Sequence, residues 1–188
     1  MVPHLFAPIL IGLFCFKVGV VMFGELNSED IELIKKEDDL IDKSLIIINK
    51  LFKDKKDKEG KPYINHLYYV MNSVSTYEEK VVGLMHDTIE DTSMSLFGLM
   101  RLGYPIDILK SINLLTHYKE IPYDKYIDNL INSGDITAIN VKYADMTHNL
   151  NEERLSILPI EVKERLVKKY SEPYKKLIKK IEKIRKEN

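Results

Sequence analysis

From Leu26 onward, apolar residues recur at the three-and-four spacing of amphipathic helices, and no stretch of any length alternates at the period of a strand. Ser28 is placed to cap a short first helix whose opening turn carries Glu29 and Asp30, where carboxylates meet the positive end of the helix dipole. Leu40 to Phe52 turns Leu40, Ile41, Leu45, Ile47, Ile48, Leu51 and Phe52 inward, toward a helix expected over residues 81 to 91. Lys53 to Lys61, with five lysines, three acids and Gly60, has the composition of a solvated loop. Pro62 to His66 leads into an apolar helix through Val70, Met71 and Val74. Helices over Ser95 to Leu102 and Ile106 to Thr116 are separated by Gly103-Tyr104-Pro105, and another runs from Pro122 to Ser133-Gly134. Ile136 to Leu150 follows, and then an amphipathic tail from Pro159 to Lys186 with its lysines on a solvated face and an interruption at Pro173. The pattern predicts an all-α fold without internal repeats.

Residues 81 to 92 combine two kinds of chemistry. Val81, Val82, Leu84, Met85 and Ile89 require burial, yet His86, Asp87, Glu90 and Asp91 crowd the end of the same run. On a continuous helix, His86 lies one turn from Glu90 and Asp87 one turn from Asp91, giving two adjoining stripes on one side. Carboxylates gathered beside an apolar run repel one another and lose solvation, and a bound divalent cation is the usual remedy. A solvent-exposed acidic helix end is the alternative. Asp145 follows Ala138, Val141 and Ala144 on a face that periodicity buries, with Asn149 one turn beyond. His66 alone fits a helix-start residue, and His117 a structural residue at a helix end.

Taken together, His66, His86, Asp87 and Asp145 supply two imidazoles and two carboxylates from three helices. Such a set suits Mn²⁺, Fe²⁺ or Zn²⁺, with water completing the coordination. A metal so held activates water and polarises a phosphoryl oxygen, which points to phosphoester hydrolysis. Glu90 and Asp91 are then placed to take a proton from the attacking water or to hold it in line.

Length and composition limit the alternatives. The 188 residues suffice for one domain with a real core, expected over residues 25 to 188. A net charge of -1 gives no general attraction to nucleic acid or to an anionic membrane, so any anionic ligand must be gripped locally. Cys15 is the only cysteine, which excludes an intramolecular disulfide and a cysteine-based zinc site. Residues 5 to 23 are the compositional outlier. Only His4 precedes the apolar run, unlike a signal peptide, and Lys17 splits it, which is costly in a membrane span. The expectation is an apolar leader over residues 1 to 24, of which the first 21 are dispensable for solubility and activity, with Met22 a candidate start and a single-span anchor the alternative. A cytoplasmic location without stable membrane association follows.

The order His66, His86-Asp87, Asp145 is similar to that of the HD metal-dependent phosphohydrolase superfamily. More narrowly, Gly60-Lys61-Pro62-Tyr63-Ile64-Asn65-His66, His86-Asp87-Thr88-Ile89-Glu90-Asp91-Thr92 and Val141-Lys142-Tyr143-Ala144-Asp145 through His148-Asn149-Leu150 resemble the hydrolase domain of RelA/SpoT proteins and its small stand-alone relatives. The resemblance covers roughly residues 40 to 175. It implies a helical HD-type domain with a metal between helices, Mn²⁺ as cofactor, and removal of the 3′-pyrophosphate from guanosine alarmones, with no synthetase activity. It also implies nucleotide contacts from Lys55, Lys56 and Asn149, and water activation by Glu90 and Asp91. Two departures bear on substrate. The family usually has an Arg before the Lys where this chain has Lys55-Lys56, and Lys offers no planar fork. Where many members continue Asn-x-Arg-Thr, this chain has Asn149-Leu150-Asn151-Glu152, which puts an acid near the expected nucleotide. Two further readings therefore stand: an HD phosphohydrolase of another nucleotide or nucleoside phosphate, and a catalytically idle HD domain that binds a nucleotide.

Overall fold

The computed structural model describes residues 22–187. The expectations for residues 1 to 21 lie outside the described residues. The chain is all-α: α1 (Ser28–Lys36), α2 (Leu40–Leu51), α3 (Ile64–Asn72), α4 (Tyr77–Met85), α5 (Thr88–Asp91), α6 (Leu96–Arg101), α7 (Ile106–Leu115), α8 (Tyr123–Ser133), α9 (Ile136–Asn149), α10 (Glu152–Ser156) and α11 (Ile160–Glu187). Among the described residues, β structure is limited to two isolated bridges, Phe23 with Met94 and Lys56 with Pro62. No helix among them is long and apolar enough to cross a membrane.

Helix α4 is the hub. Thr76 and Glu79 form a reciprocal capping box at its start, and Val81, Val82, Leu84 and Met85 are fully buried where it meets α2, α3, α7 and α9. Gly83 permits a close approach to α3: a Cβ there would lie 3.3 Å from the backbone N and Cα of Met71. Fully buried Ile47 and Ile48 from α2 with Phe52 at its C-cap, Leu67 and Val70 from α3, and Ile139 and Val141 from α9 complete this part of the core. Burying each such side chain contributes about 1.5–3 kcal/mol relative to exposure.

Several local features depart from the sequence pattern. The cap of α1 is Asn27: its Oδ1 accepts from Asp30 N at 2.9 Å, while the Asp30 carboxylate accepts from Asn27 N at 3.2 Å, so Ser28 is already helical. The tail runs through Pro173 as one helix. Pro173 is buried in the same stripe as Leu166, Tyr170, Leu177 and Ile181, and packing of that stripe on α8 and α9 holds the helix across the missing N–H. The short α10, capped by Asn151 accepting from Arg154 N at 3.1 Å, has too few residues to show a period.

Packing reaches back to Met22, whose carbonyl accepts from Ser95 Oγ at 3.0 Å across the start of α6. A Cβ on Gly98 would fall 2.1 Å from that carbonyl oxygen. Gly98→Ala should therefore destabilise the domain by ~1–3 kcal/mol, as overpacking does. The check is a urea midpoint; an unchanged midpoint would mean that the Met22 segment does not rest on α6 in solution.

Candidate metal centre

The long apolar helix expected over residues 81 to 91 is broken at His86 and Asp87. In an unbroken helix the Gly83 carbonyl would accept from the Asp87 N–H, but it accepts instead from His86 Nδ1 at 2.8 Å. Asp87 takes φ -98° and ψ -1°, and α5 starts after it. The break replaces two parallel stripes by convergence. His86 and Asp87 turn toward His66, in the first turn of α3, and toward Asp145 on α9.

Ligand atoms of His66, His86 and Asp87 all lie within 4.8 Å of one another. Asp87 Oδ2 is 3.0 Å from His86 Nε2 and 3.6 Å from His66 Nε2. Asp145 Oδ1 closes another side, 3.3 Å from His66 Nε2 and 4.0 Å from His86 Nε2. His86 is 1% exposed, and His66 and Asp145 are 4% exposed. His66, His86 and Asp87 thus converge on one point, with Asp145 beside both imidazoles.

The hydrogen bonds assign the tautomers. A carbonyl only accepts, so His86 Nδ1 carries the proton shared with Gly83 and Nε2 faces the cluster with a bare lone pair. His86 Nε2 is buried without a hydrogen-bond partner, since its 3.0 Å approach to Asp87 lacks hydrogen-bond direction. Arg154 Nη1 can only donate, so His148 Nδ1, 2.8 Å away, accepts. The 2.7 Å contact from His66 Nδ1 to His148 Nδ1 must then be donated by His66, which makes Nε2 the lone-pair nitrogen of the His66 ring whenever that ring is neutral. Two imidazole lone pairs aimed at two carboxylates require a cation between them, and the neutral N and anionic O donor set fits a divalent transition metal. Without one, protons must serve. Burial opposes charge on His66, but Asp145 and Asp87 overcome it and raise its pKa to about 9. Burial likewise opposes charge on His86, and Asp87 raises its pKa nonetheless. Burial, with His66 and Arg154 beside it, lowers His148 to about 3 and keeps it neutral.

Each carboxylate is held by neighbours. Tyr63, stacked on Phe52, donates its hydroxyl to Asp87 Oδ2 at 2.5 Å. Lys142 Nζ, one turn before Asp145, reaches Asp145 Oδ2 at 2.7 Å, and Asn149 Nδ2 donates to Oδ1 at 2.6 Å. Burial would raise the Asp145 pKa, but Lys142 and His66 hold it well below the carboxylate range. Asn149, expected to contact nucleotide, spends its amide on orienting Asp145, although it also lines the adjoining cavity.

That cavity, about 370 Å³, opens over the cluster. Glu90 and Asp91 sit on its wall and diverge. Glu90 Oε2 accepts the His117 backbone N–H at 3.0 Å, whereas Asp91 Oδ2 pairs with Lys55 Nζ at 2.8 Å. His117 is itself anchored, its Nε2–H donating to the Ile121 carbonyl at 2.7 Å. Lys55 thus reaches the cavity already paired, while Lys56 lines it with no carboxylate partner among the described residues. Lys58, Lys142, Arg154 and Lys169 also line it.

Lys58 lies in the loop that composition assigns to solvent, and Lys169 on the helical face assigned to solvent. Neither has a carboxylate partner among the described residues, and partial desolvation with Arg154 near Lys58 and Lys142 near Lys169 lowers both amino groups. An anion would relieve that crowding. Glu152, where an acid was expected beside the nucleotide, lines a separate pocket with Leu155, Lys163 and Val167 instead. The only signal for Lys58 and Arg154 was their closeness in sequence to the Gly-Lys-Pro-Tyr motif and to Asn149; Lys169 carries none.

No protein-family model matches the sequence, and no curated protein matches it. Among solved structures, the fold is similar to that of the metazoan protein described as "A metazoan ortholog of SpoT hydrolyzes ppGpp and plays a role in starvation responses". The likeness has a TM-score of 0.58 at 19% sequence identity and covers 86% of this chain and 97% of that one. It establishes that the two share an all-α fold.

Proposed function

We propose that the chain is a divalent-metal-dependent phosphohydrolase that removes the 3′-pyrophosphate of guanosine alarmones, (p)ppGpp, with Mn²⁺ as the metal. The observation that carries this reading is the convergence of the His66 and His86 imidazoles, the latter with a buried Nε2 that has no hydrogen-bond partner, on Asp87 and Asp145 beneath a cavity lined by lysines and Arg154. The metazoan protein of similar fold, whose description names ppGpp hydrolysis, supports the choice of substrate.

His66, His86, Asp87 and Asp145 would hold the metal. A divalent cation there supplies Lewis acidity, polarising a phosphoryl oxygen and acidifying water. Glu90 keeps one carboxylate oxygen free of protein hydrogen bonds, since only Oε2 is engaged by His117, and it accepts the proton of the attacking water. Asp91 fixes Lys55, which sits over the Tyr63 ring at 4.7 Å, on the cavity wall. Lys56, Lys58 and Lys169 draw in the polyanionic end of the substrate, while Tyr63, Tyr123 and Tyr170 give the cavity aromatic faces.

One observation favours the second reading, a related hydrolase of another nucleotide or nucleoside phosphate: Lys55 and Asn149 are both engaged within the protein. The test is the purified protein with Mn²⁺, offered guanosine tetraphosphate, nucleoside mono- and triphosphates, and a set of 3′-phosphorylated nucleotides. Pyrophosphate release confined to guanosine tetraphosphate is expected. Turnover of another class alone would select the second reading, and binding without turnover would make the domain an idle nucleotide binder.

A further inference from the structure

We propose that Arg154 and His148 are positioning residues that set the tautomer of His66, so that a segment distant in sequence presents this imidazole to the metal. The proposal rests on the metal-centre reading above.

The relay runs in one direction by necessity. Glu59 and Asp57, in the loop between α2 and α3, hold the Arg154 guanidinium, Glu59 at Nε and Asp57 at Nη2 over 3.4 Å. The Glu59 side chain is 2% exposed and that of Asp57 8%, so these are built contacts rather than surface pairs. Arg154 offers donors only, which forces His148 Nδ1 to accept and its ring to carry its proton on Nε2. Facing that acceptor at 2.7 Å, His66 Nδ1 must bear a proton, and Nε2 is left for the metal. The His148 ring is clamped in plane between Tyr69 and His66, with ring centroids 4.1 Å and 4.9 Å away. A His148 free to place its proton on Nδ1 would set donor against donor and turn the His66 ring away from the cluster. Partners that fix the ring of a metal-binding histidine typically change metal affinity by about 10- to 100-fold.

The experiment uses the full chain and reads metal, not turnover. Calorimetry with Zn²⁺ and with Mn²⁺ compares wild type, Arg154→Met and His148→Phe, the last keeping the stack on Tyr69 while removing the ring nitrogens. Nitrogen-15 spectra of the Zn²⁺-loaded, histidine-labelled protein report which ring nitrogens carry protons. Expected is a wild type protonated at His66 Nδ1 and at His148 Nε2, with both variants binding each metal about 10- to 100-fold more weakly at unchanged helicity. If Arg154→Met unfolds, His148→Phe decides alone. A wild-type His148 protonated on Nδ1, or a folded variant binding both metals within twofold of wild type, would overturn the relay and leave the metal centre standing. A wild type that binds neither metal would remove the centre itself, and the relay with it.

Discussion

Asp87→Asn and Asp145→Asn should each lose Mn²⁺ and hydrolysis together while the helical content stays intact. Each substitution keeps the side chain's shape but removes a negative charge facing two imidazole nitrogens, with Asp87 Oδ2 only 3.0 Å from His86 Nε2. Loss of one oxygen anion from a four-group set should exceed the 10- to 100-fold that outer partners command, so a drop of roughly 10³-fold in Mn²⁺ affinity is expected. The two variants differ in a useful way. Asp145 also neutralises buried Lys142 at 2.7 Å, so Asp145→Asn leaves an unpaired buried cation and should cost about 3–5 kcal/mol of stability as well. Metal content after dialysis, read beside thermal unfolding, checks both. Full Mn²⁺ occupancy in folded Asp87→Asn protein would show that the cation binds elsewhere.

Glu90→Gln should do the reverse, keeping metal and fold but losing about 10²- to 10⁴-fold in kcat, the worth of a positioned proton acceptor. Glutamine can still accept from the His117 N–H, so the 3.0 Å anchor survives and only basicity is removed. Asp91→Asn should be milder in kcat and heavier in KM, because its carboxylate is paired to Lys55 and its loss frees that lysine. Steady-state kinetics at saturating Mn²⁺ separates the two. Wild-type turnover by Glu90→Gln would assign the proton to another group.

The helices and the meeting of His66, His86, Asp87 and Asp145 were legible because inward-facing polar residues on apolar helices have few ways to be satisfied. The break after Met85 was not, since it depends on a ring nitrogen taking the Gly83 carbonyl, and both choices satisfy the same spacing. Asn149 shows a second limit. An amide one turn from a buried acid reads equally as ligand or as brace, and only the 2.6 Å contact to Asp145 separates them. Lys58 and Lys169 come from segments that composition marks as solvated, Arg154 from a stretch too short to show a period, and convergence of three distant segments on one cavity leaves no periodic trace. Pro173 was misleading for a related reason: local backbone chemistry argues for a stop, while the energy that keeps α11 whole lies in contacts with α8 and α9.

Gly83 has a consequence reaching beyond packing. Its carbonyl holds the His86 ring, and its missing side chain lets α4 lie against the backbone of Met71, on the helix that carries His66. One position therefore sets both the aim of one imidazole and its distance from the other. A single methyl group there would push α3 outward by a few tenths of an ångström, an error small for a hydrophobic core but comparable with the ±0.2 Å tolerance of metal–ligand bonds. The gauge of the centre is thus a hydrogen atom, and a change that the fold survives could still select which ion fits.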